Sequence, residues 1–141
     1  MSSNLKIVDR EKELNIDIEN LIAKKYELYT SKFNLLDLSH LKTYTIDDVD
    51  TIEIDDAISL EKINAQYKLW IHIASPAVYL DYDSSIDKSA KERISSLYLS
   101  QKNIYMFPEK LIKDLFSISK KEKRVALSLG VIFNCDGTIS S

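Results

Sequence analysis

The sequence predicts an α+β fold, a mixed sheet with flanking helices. Three observations carry this reading. Leu14, Ile18, Leu21, Ile22 and Tyr26 recur at helical spacing near the start of the chain. Two alternating segments, 57–62 and 67–73, are joined by Asn64-Ala65-Gln66 in the manner of a hairpin. A second helical stripe then precedes a closing strand pattern over 125–133.

Taken in order, the first helix is predicted over about 10–29, with Glu11, Lys12, Glu13, Asp17, Lys24 and Lys25 on the face opposite the apolar stripe. The stretch 31–41 is less regular. Thr43-Tyr44-Thr45-Ile46 is rich in β-branched residues and predicts a short strand that stops at a run of acids. In the next strand Ile58 and Leu60 share a face, and 67–73 alternates clearly enough to be buried on at least one side. Ile86, Ala90, Ile94 and Leu97 form one helical stripe, with Ser84 or Ser85 as N-cap. Pro108 before Glu109 suits a first helical turn, because proline there gives up no needed donor, and that helix should reach about Phe116. The strand over 125–133 enters a turn at Cys135-Asp136-Gly137 and starts to return through Thr138-Ile139. With only two glycines, turns must be built from Asp, Asn and Ser. A returning strand with nothing beyond it leaves an open edge, so the expectation is a domain incomplete at its C-terminal end.

Composition narrows the classes. The chain has 141 residues, 45% hydrophobic and 29% charged, which suits one domain with a real core. Nineteen Lys and Arg against 22 Asp and Glu give a net charge of −3, which excludes a protein that holds nucleic acid by bulk basic charge. No apolar run approaches the roughly 18 residues needed to span a bilayer. The first residues lack the apolar stretch of a secretory signal. A lone Cys135 permits neither an internal disulfide nor a cysteine-based zinc site. The expectation is a soluble, cytoplasmic protein with no membrane association.

The chemistry concentrates in one segment. Asp47, Asp48, Asp50, Glu53, Asp55 and Asp56 place six carboxylates in ten residues with no Lys, Arg or His among them. Water and salt screen such repulsion in an exposed loop. In a folded pocket it calls for a cation. Ile46, Ile52, Ile54 and Ala57-Ile58 flank the acids and are expected to pin the loop into the core at both ends. Alternation places Glu53 and Asp55 on one side and turns Asp56 to the other. Hard oxygen donors from one short loop suit Mg²⁺ or Mn²⁺. The spacing alone leaves an acidic solvated loop equally open. An EF-hand is disfavoured, since a loop begun at Asp48 puts Glu53 where glycine is required. Asp48 and Asp50 also form an Asp-x-Asp pair of the sugar-nucleotide type, a weak pattern.

At these residues the chain resembles the ribonuclease II/ribonuclease R exoribonucleases, whose catalytic unit is the RNB domain. The family pattern runs Thr-Ile-Asp, then acids six, eight and nine residues after that Asp, then Ala. Thr45-Ile46-Asp47, Glu53, Asp55, Asp56 and Ala57 meet it. The likeness continues through Leu69-Trp70-Ile71-His72-Ile73-Ala74-Ser75-Pro76-Ala77-Val78-Tyr79, the helical stretch 87–98 ending at Tyr98, Met106-Phe107-Pro108-Glu109-Lys110-Leu111, Arg124 and Asp136-Gly137. Four departures stand out: Glu53 and Ser75 replace aspartates of the pattern, and Ser100 and Tyr105 replace prolines.

The resemblance implies a helical lead-in over 1–36 and the N-terminal portion of an RNB-like domain over 37–141. It implies a 3′→5′ exoribonuclease that hydrolyses single-stranded RNA to 5′-nucleotides, present as a partial catalytic domain that is inactive alone. Asp47, Glu53, Asp55 and Asp56 would hold Mg²⁺ (or Mn²⁺), with Asp55 closest to the chemistry, and Tyr98 would contact RNA. The remainder of the RNB domain is a further expected partner. A non-catalytic truncated remnant that binds divalent metal or RNA weakly is the alternative. Elsewhere the expectations are structural: an ion pair for Arg93 within its own helix, a solvated turn for 120–124, a satisfied core position for His72, no site at His40, and a hairpin turn for Cys135.

Overall fold

The computed structural model describes residues 2–24 and 34–140. The class is α+β, as expected. In chain order the elements are α1 (Ser2–Ala23), β1 (Thr43–Tyr44), β2 (Asp56–Ile63), β3 (Gln66–Ala74), α2 (Ser85–Arg93), β4 (Leu97–Tyr98), β5 (Asn103–Ile104), α3 (Glu109–Leu111) and β6 (Ala126–Phe133). The chain forms two compact units. One combines the described residues up to 24 with Pro76–Leu115; the other combines Asn34–Ser75 with the chain from Phe116 onward. None of the described helices is long and apolar enough to cross a membrane.

In the first unit, α1 begins earlier than the periodicity indicated, and the part of the predicted helix carrying Lys25, Tyr26 and Tyr29 lies outside the described residues. Ile18 is buried and Leu14, Leu21 and Ile22 are half-buried, so the apolar stripe faces inward as read. Asp17 accepts a hydrogen bond from Ser85 of α2, and Glu19 pairs with Lys110 of α3. Ser84 caps α2, its hydroxyl accepting the Asp87 N–H at 3.3 Å.

The α2 stripe stops at Ala90, short of the predicted Ile94 and Leu97. Ile94 adopts a φ of 71° and is 79% exposed, and Leu97 already belongs to β4. With a ψ of −42° and the Ser95 N–H donating to Arg93 O at 2.8 Å, Ile94 forms a γ-turn that takes the chain out of the helix, a conformation strained for a β-branched side chain. Pro108 is the N-cap of α3 rather than its first helical residue, and α3 passes directly into a π-helical turn over Ile112–Phe116. Ile18, Tyr79, Ile86, Ala90, Leu111, Ile112 and Leu115 form the core of this unit. Arg93 makes no ion pair within its helix; it donates to the carbonyl oxygens of Tyr105 and Met106 at 3.3 Å each.

The second unit is built on an antiparallel sheet of order β1-β2-β3-β6. The strand predicted over 43–46 is confined to two residues that pair with Ser59 and Ile58. The β2–β3 hairpin turns at Asn64, whose φ of 56° is a conformation asparagine tolerates. The hairpin predicted after β6 forms: Asn134 and Ser140 donate to Thr138 and Ile132, and Phe133 bridges Ile139. Ile58 and Leu60 do share a face, but it is the exposed one, together with Ile73, Leu127 and Leu129. Ala57, Ser59, Trp70 and His72 occupy the buried face.

That buried face is polar and fully hydrogen-bonded. Thr43 Oγ1 lies 2.8 Å from Ser59 Oγ, which lies 2.9 Å from His72 Nε2; His72 Nδ1 lies 2.8 Å from Ser128 Oγ. The chain of bonds therefore crosses all four strands. Trp70 stands opposite Gly130, donates to Glu61 at 2.9 Å and carries the Lys68 ammonium 4.0 Å from its ring centroid. A Cβ on Gly130 would come within 2.3 Å of Lys68 Cε and 2.9 Å of Trp70 Cζ3. The Lys68 end can swing clear, so the cost falls on the Trp70 ring, and Gly130→Ala should destabilise the chain by about 1 kcal/mol, read from urea unfolding.

His72 is 7% exposed, and burial holds its pKa below the ordinary 6.5. The unfolded chain takes up this proton first, so the stabilising contribution is intact above 6.5 and is lost as pH falls toward the lower folded value. Unfolding free energy should drop from pH 7.5 to pH 5, and His72→Gln should reduce that drop; an equal drop in both proteins would refute the assignment.

Candidate metal-binding segment

The acid segment belongs to the second unit, and backbone hydrogen bonds fix its C-terminal half. Ala74 N–H, at the end of β3, donates to Asp55 O at 2.7 Å, and Ile118 N–H donates to Ile54 O at 2.9 Å. The Ser117 hydroxyl accepts the Ile54 N–H and donates to Ile52 O, both at 2.7 Å. Ile52 and Ile54 are half-buried and Ala57 is fully buried, so this end is pinned as expected.

The other end is not pinned. Ile46 is 89% exposed and Val49 97% exposed, contrary to the anchoring role read for Ile46. Only two residues of β1 precede it, and a turn closed by Thr51 N–H on Asp48 O at 3.0 Å carries the chain outward. Asp47, Asp48 and Asp50 are exposed on this outer part, Glu53 is half-buried, and Asp55 and Asp56 sit where the segment becomes β2.

Asp55 is the electrostatic focus. Its carboxyl is pushed above the ordinary 3.8, chiefly by desolvation and then by repulsion from Glu53, Asp56 and Asp47. Asp55 is nonetheless exposed, as is Asp56, so water and salt screen much of the effect. The other three acids of the sequence pattern are thus each within electrostatic reach of Asp55. Among the described residues no group of three or more His, Cys, Asp or Glu side chains is arranged to hold a metal. The segment supplies donor type and charge without a closed cage. That donor chemistry fits a hard divalent cation: only oxygens are offered, the segment 47–56 contains no cationic side chain, and a cation would relieve the repulsion on Asp55.

Tyr98 belongs to the first unit. It lies on β4 rather than at a helix end, is 64% exposed, and meets Tyr105 edge-on at a centroid distance of 6.4 Å and an interplanar angle of 83°. His72 is a satisfied core histidine, and Cys135 is exposed at its turn, both as read. The run 120–124 does form a turn, with Lys123 pairing to Asp37 at 3.3 Å. Arg124 is not solvated, however: its side chain is buried and its Nε donates to Ser117 O at 3.0 Å. Sequence reasoning missed Ser117 and this role of Arg124. No local spacing marked Ser117, which stands in Phe116-Ser117-Ile118-Ser119 with a second serine two residues on.

Comparison with known proteins identifies the family. The RNB domain family model matches residues 35–141. "Ribonuclease II, chloroplastic/mitochondrial" of Arabidopsis thaliana is 39% identical over 106 residues, covering 74% of this chain and 13% of that protein. Mycoplasma genitalium RNase R, solved in complex with ribose-methylated single-stranded RNA, matches with a TM-score of 0.68 and 25% identity, covering 92% of this chain and 23% of that one. Yeast Ssd1, described as a pseudonuclease, shares the fold at a TM-score of 0.66 and 19% identity, covering 79% of this chain and 14% of its own. The chain belongs to the RNB domain family. It spans well under a third of the length of each of these proteins.

A raised carboxyl pKa favours folding only in the protonated form: its contribution is complete below the unfolded value of 3.8 and is lost as pH rises through the higher folded value. At neutral pH and without divalent cations, Asp55→Asn should therefore raise the thermal midpoint. A lowered midpoint would show that the ionised carboxylate stabilises the segment.

Proposed function

We propose that the chain is the acid-bearing portion of an RNB-type 3′→5′ exoribonuclease, which hydrolyses single-stranded RNA to 5′-nucleotides. The observation that carries this is the match of residues 35–141 to the RNB domain family, with Asp47, Glu53, Asp55 and Asp56 standing at the acid positions of the family pattern. Repulsion from the other three acids disfavours the Asp55 charge, as is common at functional sites.

Asp47, Glu53, Asp55 and Asp56 would hold Mg²⁺ or Mn²⁺. When bound, such an ion stabilises the negative charge of a phosphoryl transition state and makes a water more acidic. The side chains have separable roles. Asp55, already disfavoured as an anion, gains most from a cation and is the residue closest to the chemistry. Glu53 carries one methylene more than the aspartate of the family pattern, which extends its reach from a half-buried position. Tyr98, 64% exposed, is the aromatic side chain on which a base would stack, worth about 1–3 kcal/mol per base. RNA as the ligand is supported by the RNase R relative, which was solved bound to a single strand.

Fold alone does not guarantee the reaction, and the likeness to Ssd1 gives the non-catalytic reading a definite form. The test joins the chain to the rest of an RNB domain and follows end-labelled single-stranded RNA with Mg²⁺ or with chelator. Shortening from the 3′ end that chelator abolishes is expected, and Asp55→Asn should slow it by at least about 100-fold with RNA affinity preserved. RNA binding without shortening would establish the non-catalytic alternative. Equal loss of binding and hydrolysis in Asp55→Asn would assign that residue a structural role.

A further inference from the structure

The acid segment has to be held against its own repulsion, and the structure shows what holds it. Ser117 is 2% exposed and lies beyond the π-helical turn that ends at Phe116. A hydroxyl offers one proton and two lone pairs. Here the proton goes to Ile52 O and a lone pair receives the Ile54 N–H, both at 2.7 Å. The two bonds fall on the residues immediately before and after Glu53. One side chain thereby fixes the backbone on both sides of that carboxylate.

The splint is itself anchored. Ser117 O accepts Arg124 Nε–H at 3.0 Å and Ser119 N–H at 2.8 Å. The Arg124 guanidinium also donates to Glu122 at 3.2 Å and to Lys123 O at 3.1 Å. A planar, permanently charged fork suits such a multi-pronged buried anchor better than lysine would. Two bonds extend the same framework: Ile118 N–H to Ile54 O at 2.9 Å and Ala74 N–H to Asp55 O at 2.7 Å.

We propose that Ser117, braced by Arg124, is the positioning residue of the acid segment: its hydroxyl sets the backbone at Ile52–Ile54 and so presents Glu53 and Asp55 together. The proposal deepens the metal-dependent reading above and rests on it for its functional meaning. The hydroxyl, rather than the volume of the side chain, is the active feature, so Ser117→Thr should preserve what Ser117→Ala removes.

The test uses the 141-residue chain and two readouts, with Trp70 emission as the check on folding. The first needs no metal: amide hydrogen exchange at Ile54 should accelerate by at least about tenfold in Ser117→Ala, a local opening confined to the segment, and return to the wild-type rate in Ser117→Thr. The second is Mn²⁺ binding, followed by loss of the free-ion paramagnetic resonance signal. Affinity should fall by about 10–100-fold in Ser117→Ala, the range found when a ligand's supporting partner is removed, and recover in Ser117→Thr. If Ser117→Ala does not fold, Arg124→Gln should show the same changes in the same direction. Unchanged Ile54 exchange in the alanine variant would overturn the proposal. So would unchanged Mn²⁺ affinity alongside a wild-type chain that binds, or a threonine variant that behaves as alanine does. A wild-type chain that leaves the Mn²⁺ signal untouched refutes the metal reading instead, and Ile54 exchange then decides the splint alone.

Discussion

Repulsion within a short stretch of backbone is the constraint on which the rest of this structure depends. Six carboxylates in ten residues would swing apart into water if the chain were free to do so. The outer half of the segment does take that course, with Ile46 and Val49 carried outward beside Asp47, Asp48 and Asp50. The inner half keeps a fixed backbone, although Asp55 and Asp56 are exposed there too. Bonds from Ala74, Ile118 and Ser117 hold Ile52–Asp55 in place, and Asp55 is left in surroundings that disfavour its charge. The fold thus keeps the backbone of the inner acids fixed, with Glu53, Asp56 and Asp47 all acting on the Asp55 charge.

The sheet supplies the rigid part of this arrangement. β3 is central, paired along its whole length with β2 and β6, and its last residue, Ala74, is the one that grips Asp55. Its inward row is unusual in being polar, with His72 linking Ser59 to Ser128 and Ser59 reaching Thr43. Directional hydrogen bonds fix strand register more narrowly than apolar contact does. A defined register matters here, because the position of Asp55 relative to Ala74 follows from it.

Much of this was legible in the sequence, and the exceptions have physical causes. Alternation located β2 and β3 closely because period-2 patterning survives in paired strands. It showed that Ile58 and Leu60 share a face, but alternation cannot say which face is covered, and the covered face is the one with Ala57, Ser59 and His72. Periodicity also carried α2 too far: apolar spacing continued to Ile94 and Leu97, whereas backbone conformation at Ile94 had already ended the helix. The acid pattern was legible as residue types at fixed intervals. Ser117 and Arg124 were not, because their contribution depends on contacts more than sixty residues away in sequence or on the path of a turn, and neither leaves a local spacing.

The proposed cation site of Asp47, Glu53, Asp55 and Asp56 can be seen or missed in anomalous diffraction from crystals soaked in Mn²⁺. The expected result is a peak bounded by oxygens of Asp55 and at least two of the other three acids, at about 2.1 Å, close to the distances of Mg²⁺ sites. Crystals that take up Mn²⁺ only elsewhere, with this segment unchanged, would refute the site.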